Sequence, residues 1–267
     1  MKQLIFILLI TSLYISNPCK AYTDSSCRQS IAEENELDSK NLLNDIQDKI
    51  NQAFLLALKT KQVAPLVHLE QNLIKLRGDN SNQIIIYWQS YTTYYLSICH
   101  LQLDDKKASE ICINKAIELI EDLDKKNSED YALLAYEQSF SCQFKPGIII
   151  PFISRKLKNN CETALQSDSL NMRAYFVLGS NDFYTPEMFG GGKSAEKMLL
   201  KAIAMPEQKI ANPFLPSWGK MNAYELLIRW YIRKENWELA QRYYQEGVIK
   251  YPASFLIKEL ASKIQNK

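Results

Sequence analysis

The feature that most constrains this chain is a helical period in its apolar residues, which begins after about Asp38. Apolar side chains three and four residues apart lie on one face of an α-helix. The first such stripe consists of Leu42, Ile46, Ile50, Ala53, Phe54 and Ala57. Comparable stripes cover residues 82–102, 106–122, 130–143, 149–166, 172–184, 194–204, 218–233, 237–249 and 254–264. β-Branched runs are brief and continue into a helical period, so the sequence predicts an all-α fold built from helix pairs.

Small residues on alternate predicted helices indicate internal repeats. Ala116, Ala164, Ala202 and Gly247 occupy equivalent positions, where a small side chain lets two helices approach closely. Successive members of this set are 48, 38 and 45 residues apart. A regular array of helix pairs steps by about 34 residues. The sequence therefore predicts irregular repeats with insertions, and insertions in repeat proteins fall in loops.

The most complete motif lies in residues 224–252. It reads Tyr224-x-x-Leu227-Ile228-x-x-Tyr231, followed by Ala240, Tyr244, Gly247 and Pro252. This pattern resembles the tetratricopeptide repeat (TPR), except that Ile228 stands where the repeat has Gly or Ala. Tyr175-x-x-Leu178-Gly179 is similar to the first-helix signature one unit earlier. The resemblance implies a TPR-like helix-pair solenoid with irregular, inserted repeats over residues 39–267.

A second resemblance is carried by the loop Phe183-Tyr184-x-Pro186-x-x-Phe189-Gly190-Gly191-Gly192-Lys193. With the TPR-like helix that follows, it resembles secreted or periplasmic TPR proteins of bacteria. It is also similar to the periplasmic TatT proteins that accompany TRAP transporters. This resemblance covers roughly residues 170–252. The TatT family would imply oligomers with an apolar ligand channel.

Gly192-Lys193-Ser194 in this loop does not fit a phosphate-binding loop. Such a loop needs a glycine five positions before Gly192, where Glu187 stands, and a strand ahead of it. We expect a sharp turn instead, with Met188 and Phe189 packed against the helix pair. An anion bound at the amides that open the next helix stays an alternative.

The other distinctive loop covers residues 206–217 and ends at Trp218-Gly219. Its three prolines stop a helix and stiffen the connection. Phe214, Leu215 and Trp218 are more apolar than a solvent-exposed loop requires. Either they cap the core of the neighbouring unit, or they form an exposed patch for a partner.

The N-terminus predicts export. Lys2 precedes a short apolar run over residues 4–15, and cleavage after Ala21 would remove a signal peptide of residues 1–21. Acylation of Cys19 is the lipoprotein alternative. Residues 22–38 are then a flexible mature N-terminus, and the protein is periplasmic or secreted, with no membrane span in the mature chain.

Cleavage also changes the charge and the cysteine count. It removes two of the 32 basic residues and no acid, which leaves 30 of each sign. A neutral chain is not a nucleic-acid binder of the strongly basic kind. The odd set Cys27, Cys99, Cys112, Cys142 and Cys161 leaves its disulfide connectivity open.

The motifs of catalysis and of metal binding are absent from the sequence. The two histidines, His68 and His100, lie far apart, and no Gly-x-Ser-x-Gly elbow or C-x-x-C motif occurs. We therefore predict a protein that is not an enzyme, although carboxylates that converge from distant helices leave a hydrolase as a third option. No cofactor and no metal are expected.

The predicted binding site is the wall formed by the first helix of each pair. Transferred from the repeat, this frame predicts that seven residues of the last two units project there: Phe176, Ser180, Phe183, Asn222, Glu225, Arg229 and Arg233. The last two arginines stand one helical turn apart, so they either clamp a carboxylate or pair with the glutamate and solvent. We predict a scaffold for another protein or peptide, with its oligomeric state left open. The alternative is an accessory of a transport system that binds a small apolar or carboxylate ligand.

Overall fold

The structure is a computed structural model that describes residues 41–78, 82–206 and 214–265. Within these residues the chain forms α-helices and two single-turn 3₁₀ helices, and no strand. The α-helices are α1 (Ile46–Thr60), α2 (Ala64–Arg77), α3 (Gln83–Gln102), α4 (Lys106–Glu121), α5 (Ser128–Ser141), α6 (Ile150–Ser167), α7 (Met172–Tyr184), α8 (Ala195–Ala204), α9 (Lys220–Arg233), α10 (Trp237–Lys250), α11 (Phe255–Lys258) and α12 (Ala261–Gln265). The prediction of an all-α fold is confirmed. The predicted signal peptide, residues 22–38 and Cys27 lie outside the described residues.

The helices pack as consecutive pairs: α1 with α2, α3 with α4, α5 with α6, α7 with α8 and α9 with α10. The first helices of successive pairs also contact one another, so that α1, α3, α5, α7 and α9 form a row. The predicted stripes match these helices closely, with two differences. Helix α2 lies in a region where no stripe was predicted, although Leu66, Leu69 and Leu73 form its buried face. The last stripe is divided into α11 and α12.

Small residues hold the helix pairs close together. Ala116, Ala164, Ala202 and Gly247 are buried and lie on α4, α6, α8 and α10, the second helices of their pairs. Gly179 of α7, the first helix of its pair, also allows close approach to the second helix. A methyl group added at Gly179 would come within 2.8 Å of a side-chain carbon of Leu199 on α8, closer than carbon atoms approach in proteins.

The four described cysteines are free thiols. Cys99 and Cys161 are buried among helices, whereas Cys112 and Cys142 are half-buried. Burial raises the pKa of the Cys161 thiol well above its ordinary value, so this group is an apolar core residue and not a reactive one.

One carboxyl group lies wholly inside the described helices. Glu137 of α5 has no exposed surface, and its Oε1 accepts a hydrogen bond of 2.6 Å from the Ser90 hydroxyl of α3. Its Oε2 has no hydrogen-bond partner within the described residues. Burial raises the pKa of Glu137 from an ordinary value of 4.5 to about 8. The folded protein therefore keeps a proton on Glu137 at neutral pH.

We expect this group to make the protein less stable as pH rises. Between pH 4.5 and about 8 the unfolded chain releases a proton that the folded chain retains, so the free energy of unfolding falls across this window. Glu137→Gln removes the titration. In urea unfolding at pH 8.5, the variant should exceed the native protein in stability by about 2–4 kcal/mol, with little difference at pH 4.5.

The matched control is Glu118→Gln, since Glu118 is exposed on α4. The control should leave the pH dependence of the native protein unchanged. If Glu137→Gln shows the same fall in stability between pH 4.5 and 8.5 as the native protein, the fall comes from other groups and the account of Glu137 is wrong.

Candidate functional site

Four of the seven predicted site residues line one cavity. Phe176 and Ser180 enter it from α7, and Asn222 and Glu225 enter it from α9. The cavity has a volume of about 520 Å³, within the range of small-molecule sites. We call it the tyrosine pocket, and its lining comprises Tyr94, Tyr136, Ser139, Phe140, Cys142, Gln143, Phe176, Ser180, Tyr184, Asn222, Glu225 and Leu226.

The other three predicted residues, Phe183, Arg229 and Arg233, lie outside this lining. Arg229 forms an ion pair with Glu225, one turn away on α9. The Arg233 guanidinium lies 3.8 Å from the centre of the Phe183 ring and donates a 2.9 Å hydrogen bond to the Phe183 carbonyl. Of the two predicted alternatives, the structure shows the pairing with Glu225 for Arg229 alone, whereas Arg233 contacts Phe183 instead.

Aromatic rings form most of the pocket wall. The Tyr94 ring of α3 lies 5.0 Å from that of Tyr136 and 5.3 Å from that of Phe140, both on α5. Tyr136 in turn lies 5.7 Å from Phe176 of α7. Ring pairs at these distances are attractive and rigid, so the wall is preformed before any ligand arrives.

Sequence reasoning missed the rings on α3 and α5. The signal that points to them is the run Tyr91-Thr92-Thr93-Tyr94-Tyr95, because buried tyrosines at helical spacing place several hydroxyl-bearing rings on one helix. The predicted frame was taken only from the last two units. It therefore identified one side of the pocket and not the other.

The pocket is electrically almost neutral. Its one charged residue is Glu225, whose pKa is raised by burial and lowered in part by the Arg229 guanidinium beside it. Burial raises the pKa of Tyr94 and of Tyr136 well above the ordinary value, so both hydroxyls stay protonated. The pocket can therefore bind a ligand by ring stacking and by hydrogen bonds between neutral groups.

A segment that we call the strap, residues 214–219, runs across the row of first helices. It follows residues 207–213, which the structure does not describe, and it ends where α9 begins. Its backbone is bound by side chains of three first helices: Ser217 N donates to Gln47 Oε1 of α1 at 2.8 Å, the Trp88 indole of α3 donates to the Phe214 carbonyl at 3.0 Å, and Arg173 of α7 donates to the Pro216 carbonyl at 3.0 Å. The strap is therefore fixed to helices far from it in sequence.

Trp218 is the anchor of the strap. Only 6% of its surface is exposed, its ring stacks on Tyr91 and Tyr136, and its indole donates a 2.8 Å hydrogen bond to the Tyr87 hydroxyl. Phe214 also packs against the core. Of the two predicted alternatives for this loop, the structure shows core packing. Tyr136 thus contacts both the strap and the tyrosine pocket.

A buried ion pair supports the strap from beneath. Arg173 is 1% exposed, and its guanidinium donates to the Glu129 carboxylate through two nitrogens while a third binds the Pro216 carbonyl. A second cavity, of about 330 Å³, lies beside this part of the strap. Its lining comprises Asn82, Gln83, Ile84, Tyr87, Asn127, Glu129, Asp130, Phe214, Leu215 and Pro216.

The glycine loop after α7 is a turn, as predicted, but it offers no anion site. The Asp182 carboxylate accepts hydrogen bonds from the Ser194 and Ala195 amides, at 2.8 and 2.7 Å, so a carboxylate of the chain already occupies the start of α8. The expected packing of Met188 and Phe189 is wrong. Their side chains are 84% and 73% exposed, because the 3₁₀ turn carries them away from the helix pair.

Three further observations complete the picture. Within the described ranges, no group of three His, Cys, Asp or Glu side chains is placed to hold a metal ion. None of the helices placed by the structure has both the length and the apolar character needed to cross a bilayer. No family model, curated protein or solved structure matches the chain.

Proposed function

We propose that the protein is a non-catalytic, TPR-like helical-repeat protein that binds a small ring-containing ligand in the tyrosine pocket. The TPR-like assignment is supported by the consecutive helix pairs, by the row of first helices and by the small residues at the four equivalent positions. The ligand-binding assignment is supported by a preformed cavity of suitable volume whose walls come from four first helices and the turn after α5.

The sequence predicts either a scaffold for a protein or peptide or a protein that binds a small ligand. The position of the strap favours the small ligand. A scaffold for an extended peptide needs a continuous surface along the first helices. Here the strap lies across α1, α3 and α7, and Trp218 fills the space between Tyr91 and Tyr136. The surface left is divided into separate cavities, which favours a compact ligand over a long one.

The lining defines the chemical class of that ligand. Rings stack on Tyr94, Tyr136 and Phe176, whereas hydroxyl and amide groups of the lining supply donors and acceptors. We infer a ligand with one or two flat rings and neutral hydrogen-bonding groups. The aromatic side chain of a partner protein fits the same description, so a scaffold that captures a single side chain is the second candidate.

Export is the other part of the proposal. It rests on residues 1–21, which lie outside the described part of the chain. An exported protein that begins at residue 22 by mass spectrometry would support it, and one that retains Met1 would contradict it.

The binding proposal is tested with three one-ring probes that are neutral, positively charged and negatively charged: benzyl alcohol, benzyltrimethylammonium and phenylacetate. Saturation-transfer NMR on the full chain should show benzyl alcohol bound more tightly than either ion, since the pocket is almost neutral. Tyr184→Ala should weaken benzyl alcohol binding about 2- to 10-fold, because one ring contact is worth about 0.5–1.5 kcal/mol.

Phe255→Ala is the matched control. Phe255 is exposed like Tyr184, at 75% against 64%, but it lies on α11 and does not line the pocket. The control should bind benzyl alcohol as the native protein does. Binding that is absent, or that is equally strong in Tyr184→Ala and in the control, would rule out the tyrosine pocket as the site.

A further inference from the structure

Two turns of the chain carry an unusual density of exposed apolar side chains. We call them the apolar tips. The first tip covers the turn before α6 and the first residues of that helix, with Ile148, Ile149, Ile150 and Phe152. The second covers the last residue of α7 and the turn after it, with Tyr184, Met188 and Phe189. Together they hold seven of the fifteen large apolar side chains that are exposed within the described residues. An exposed patch of this kind marks a surface that meets a partner or a membrane.

The two tips lie side by side. Ser154, in the first part of α6, and Asn181, in the last turn of α7, exchange hydrogen bonds of 3.3–3.4 Å between their side chains. Because α6 and α7 are consecutive antiparallel helices, the start of one lies beside the end of the other. Ile148 and Phe152 therefore emerge at the same end as Met188 and Phe189, with exposed fractions of 66% to 84%.

The first tip is unusually apolar for a turn that is exposed to solvent. Although Ile149, the N-cap of α6, gives no side-chain cap, the first backbone amides are satisfied without one: the Ile150 amide donates to the Gly147 carbonyl at 3.3 Å, the Phe152 amide donates to the Ile149 carbonyl at 3.0 Å, and proline at position 151 has no amide hydrogen. Three isoleucines, a proline and a phenylalanine follow one another within five residues, 148–152. This composition favours an apolar environment around the turn.

The segment of sequence that contains the first tip is basic. Residues 138–161 contain no Asp or Glu and four basic residues. Three of these, Lys145, Lys156 and Lys158, pair with glutamates of the chain. Arg155 forms no ion pair within the described residues and stands three positions after Phe152.

The second tip differs in containing an acid, Glu187, but a lysine also follows it. Lys193, four positions after Phe189, is exposed and forms no ion pair in the part of the chain that the structure describes. The carboxylate of this tip, Glu187, is paired with Lys234 at 3.1 Å. Each tip thus combines a protruding apolar end with an available cation just behind it.

We propose that the apolar tips dock into the surface of a membrane that contains anionic lipids. Ile148, Phe152, Met188 and Phe189 enter the boundary between headgroups and acyl chains, and Arg155 and Lys193 lie at the level of the lipid phosphates. The chain does not cross the bilayer at this site. The four side chains that enter the membrane lie outside the lining of the tyrosine pocket, although Tyr184 belongs both to the second tip and to that lining.

A tryptophan placed in the tip reports this contact locally. Phe189→Trp keeps the tip apolar, and Phe255→Trp places an equally exposed reporter on α11 as the control. Each full-length variant is mixed with vesicles of phosphatidylcholine, with or without phosphatidylglycerol, in which brominated phosphatidylcholine quenches tryptophan. We expect a blue shift and quenching for Phe189→Trp on the anionic vesicles only, and neither change for Phe255→Trp.

Adding Ile148→Ser and Phe152→Ser to the Phe189→Trp variant should weaken the apparent vesicle affinity about tenfold or more, since two apolar side chains are lost. The proposal is overturned if the tryptophan at position 189 stays unquenched. The same holds for a chain that binds the vesicle through residues 4–15 while this tryptophan stays unquenched. Equal quenching on neutral vesicles contradicts the role of Arg155 and Lys193. A blue shift without lipid that grows with protein concentration would show that a second copy covers the tips.

Discussion

Glu129→Gln should lower the free energy of unfolding by about 3 kcal/mol or more. Glu129 is the carboxylate that binds the guanidinium of Arg173, and Arg173 is 1% exposed. The variant keeps the shape of the side chain but leaves a buried positive charge without its counter-charge. Breaking a buried ion pair by removing one partner costs about 3–5 kcal/mol. Because Arg173 also binds the Pro216 carbonyl, we expect the strap to loosen as well.

Urea unfolding at pH 7 measures this effect. The matched control is Glu162→Gln, which removes the carboxylate of the exposed pair Lys158–Glu162, in which the two atoms are 3.8 Å apart. Exposed pairs contribute at most about 1 kcal/mol, so the control should be close to the native protein. Glu129→Gln with Arg173→Met should regain part of the loss. A loss no larger than that of the control would mean that the pair does not hold the strap.

Trp218→Ala should also lower the free energy of unfolding, by about 3–5 kcal/mol, which is the usual cost of removing a buried large aromatic side chain. The ring is 6% exposed and stacks at 5.7 Å from Tyr91 and at 4.9 Å from Tyr136. Its removal leaves a cavity between these tyrosines and deprives the Tyr87 hydroxyl of its donor. Since Tyr136 lines the tyrosine pocket, we expect benzyl alcohol binding to weaken in the same variant.

A graded series separates these contributions. Trp218→Phe keeps a ring in place and loses the indole hydrogen bond, so its cost should be clearly smaller than that of the alanine variant. Phe255→Ala, at an exposed position, should change the stability by no more than about 0.5 kcal/mol. If Trp218→Ala is as stable as Phe255→Ala, the strap is not packed on the first helices.

The helices could be predicted from sequence because each has a stripe of its own. Residues 172–184 and 237–249 were predicted almost to their observed ends, Met172–Tyr184 and Trp237–Lys250. Helix α2 was missed, although it has a buried leucine face, because Pro65 and His68 interrupt its apolar pattern. Periodicity identifies a helix but does not say which helices meet.

Part of the site followed from the same local rule. Phe176 and Ser180 stand four residues apart on α7, and Asn222 and Glu225 stand three apart on α9, so each pair shares a helix face. The opposite wall, with Tyr94 and other rings, depends on contacts between units that are separated by many residues. No local pattern gives such contacts.

The strap and the apolar tips lie beyond prediction for the same reason. Gln47 binds Ser217 across 170 positions of sequence, and Trp218 binds Tyr87 across 131. Met188 and Phe189 were expected to pack because they are apolar, yet the turn geometry directs them outwards. Composition alone does not reveal whether an apolar loop residue meets the core or an external partner.

The central claim is that a small ligand occupies the tyrosine pocket, and Ser180→Phe tests it most directly. Ser180 lines the pocket and is 8% exposed, so a phenylalanine there has the cavity of about 520 Å³ to fill. The measurement is the dissociation constant of benzyl alcohol for Ser180→Phe and for the native protein, with the free energy of unfolding measured in parallel. The account predicts that binding is lost while the stability is kept or increased. Unchanged binding by a stable Ser180→Phe variant would contradict it.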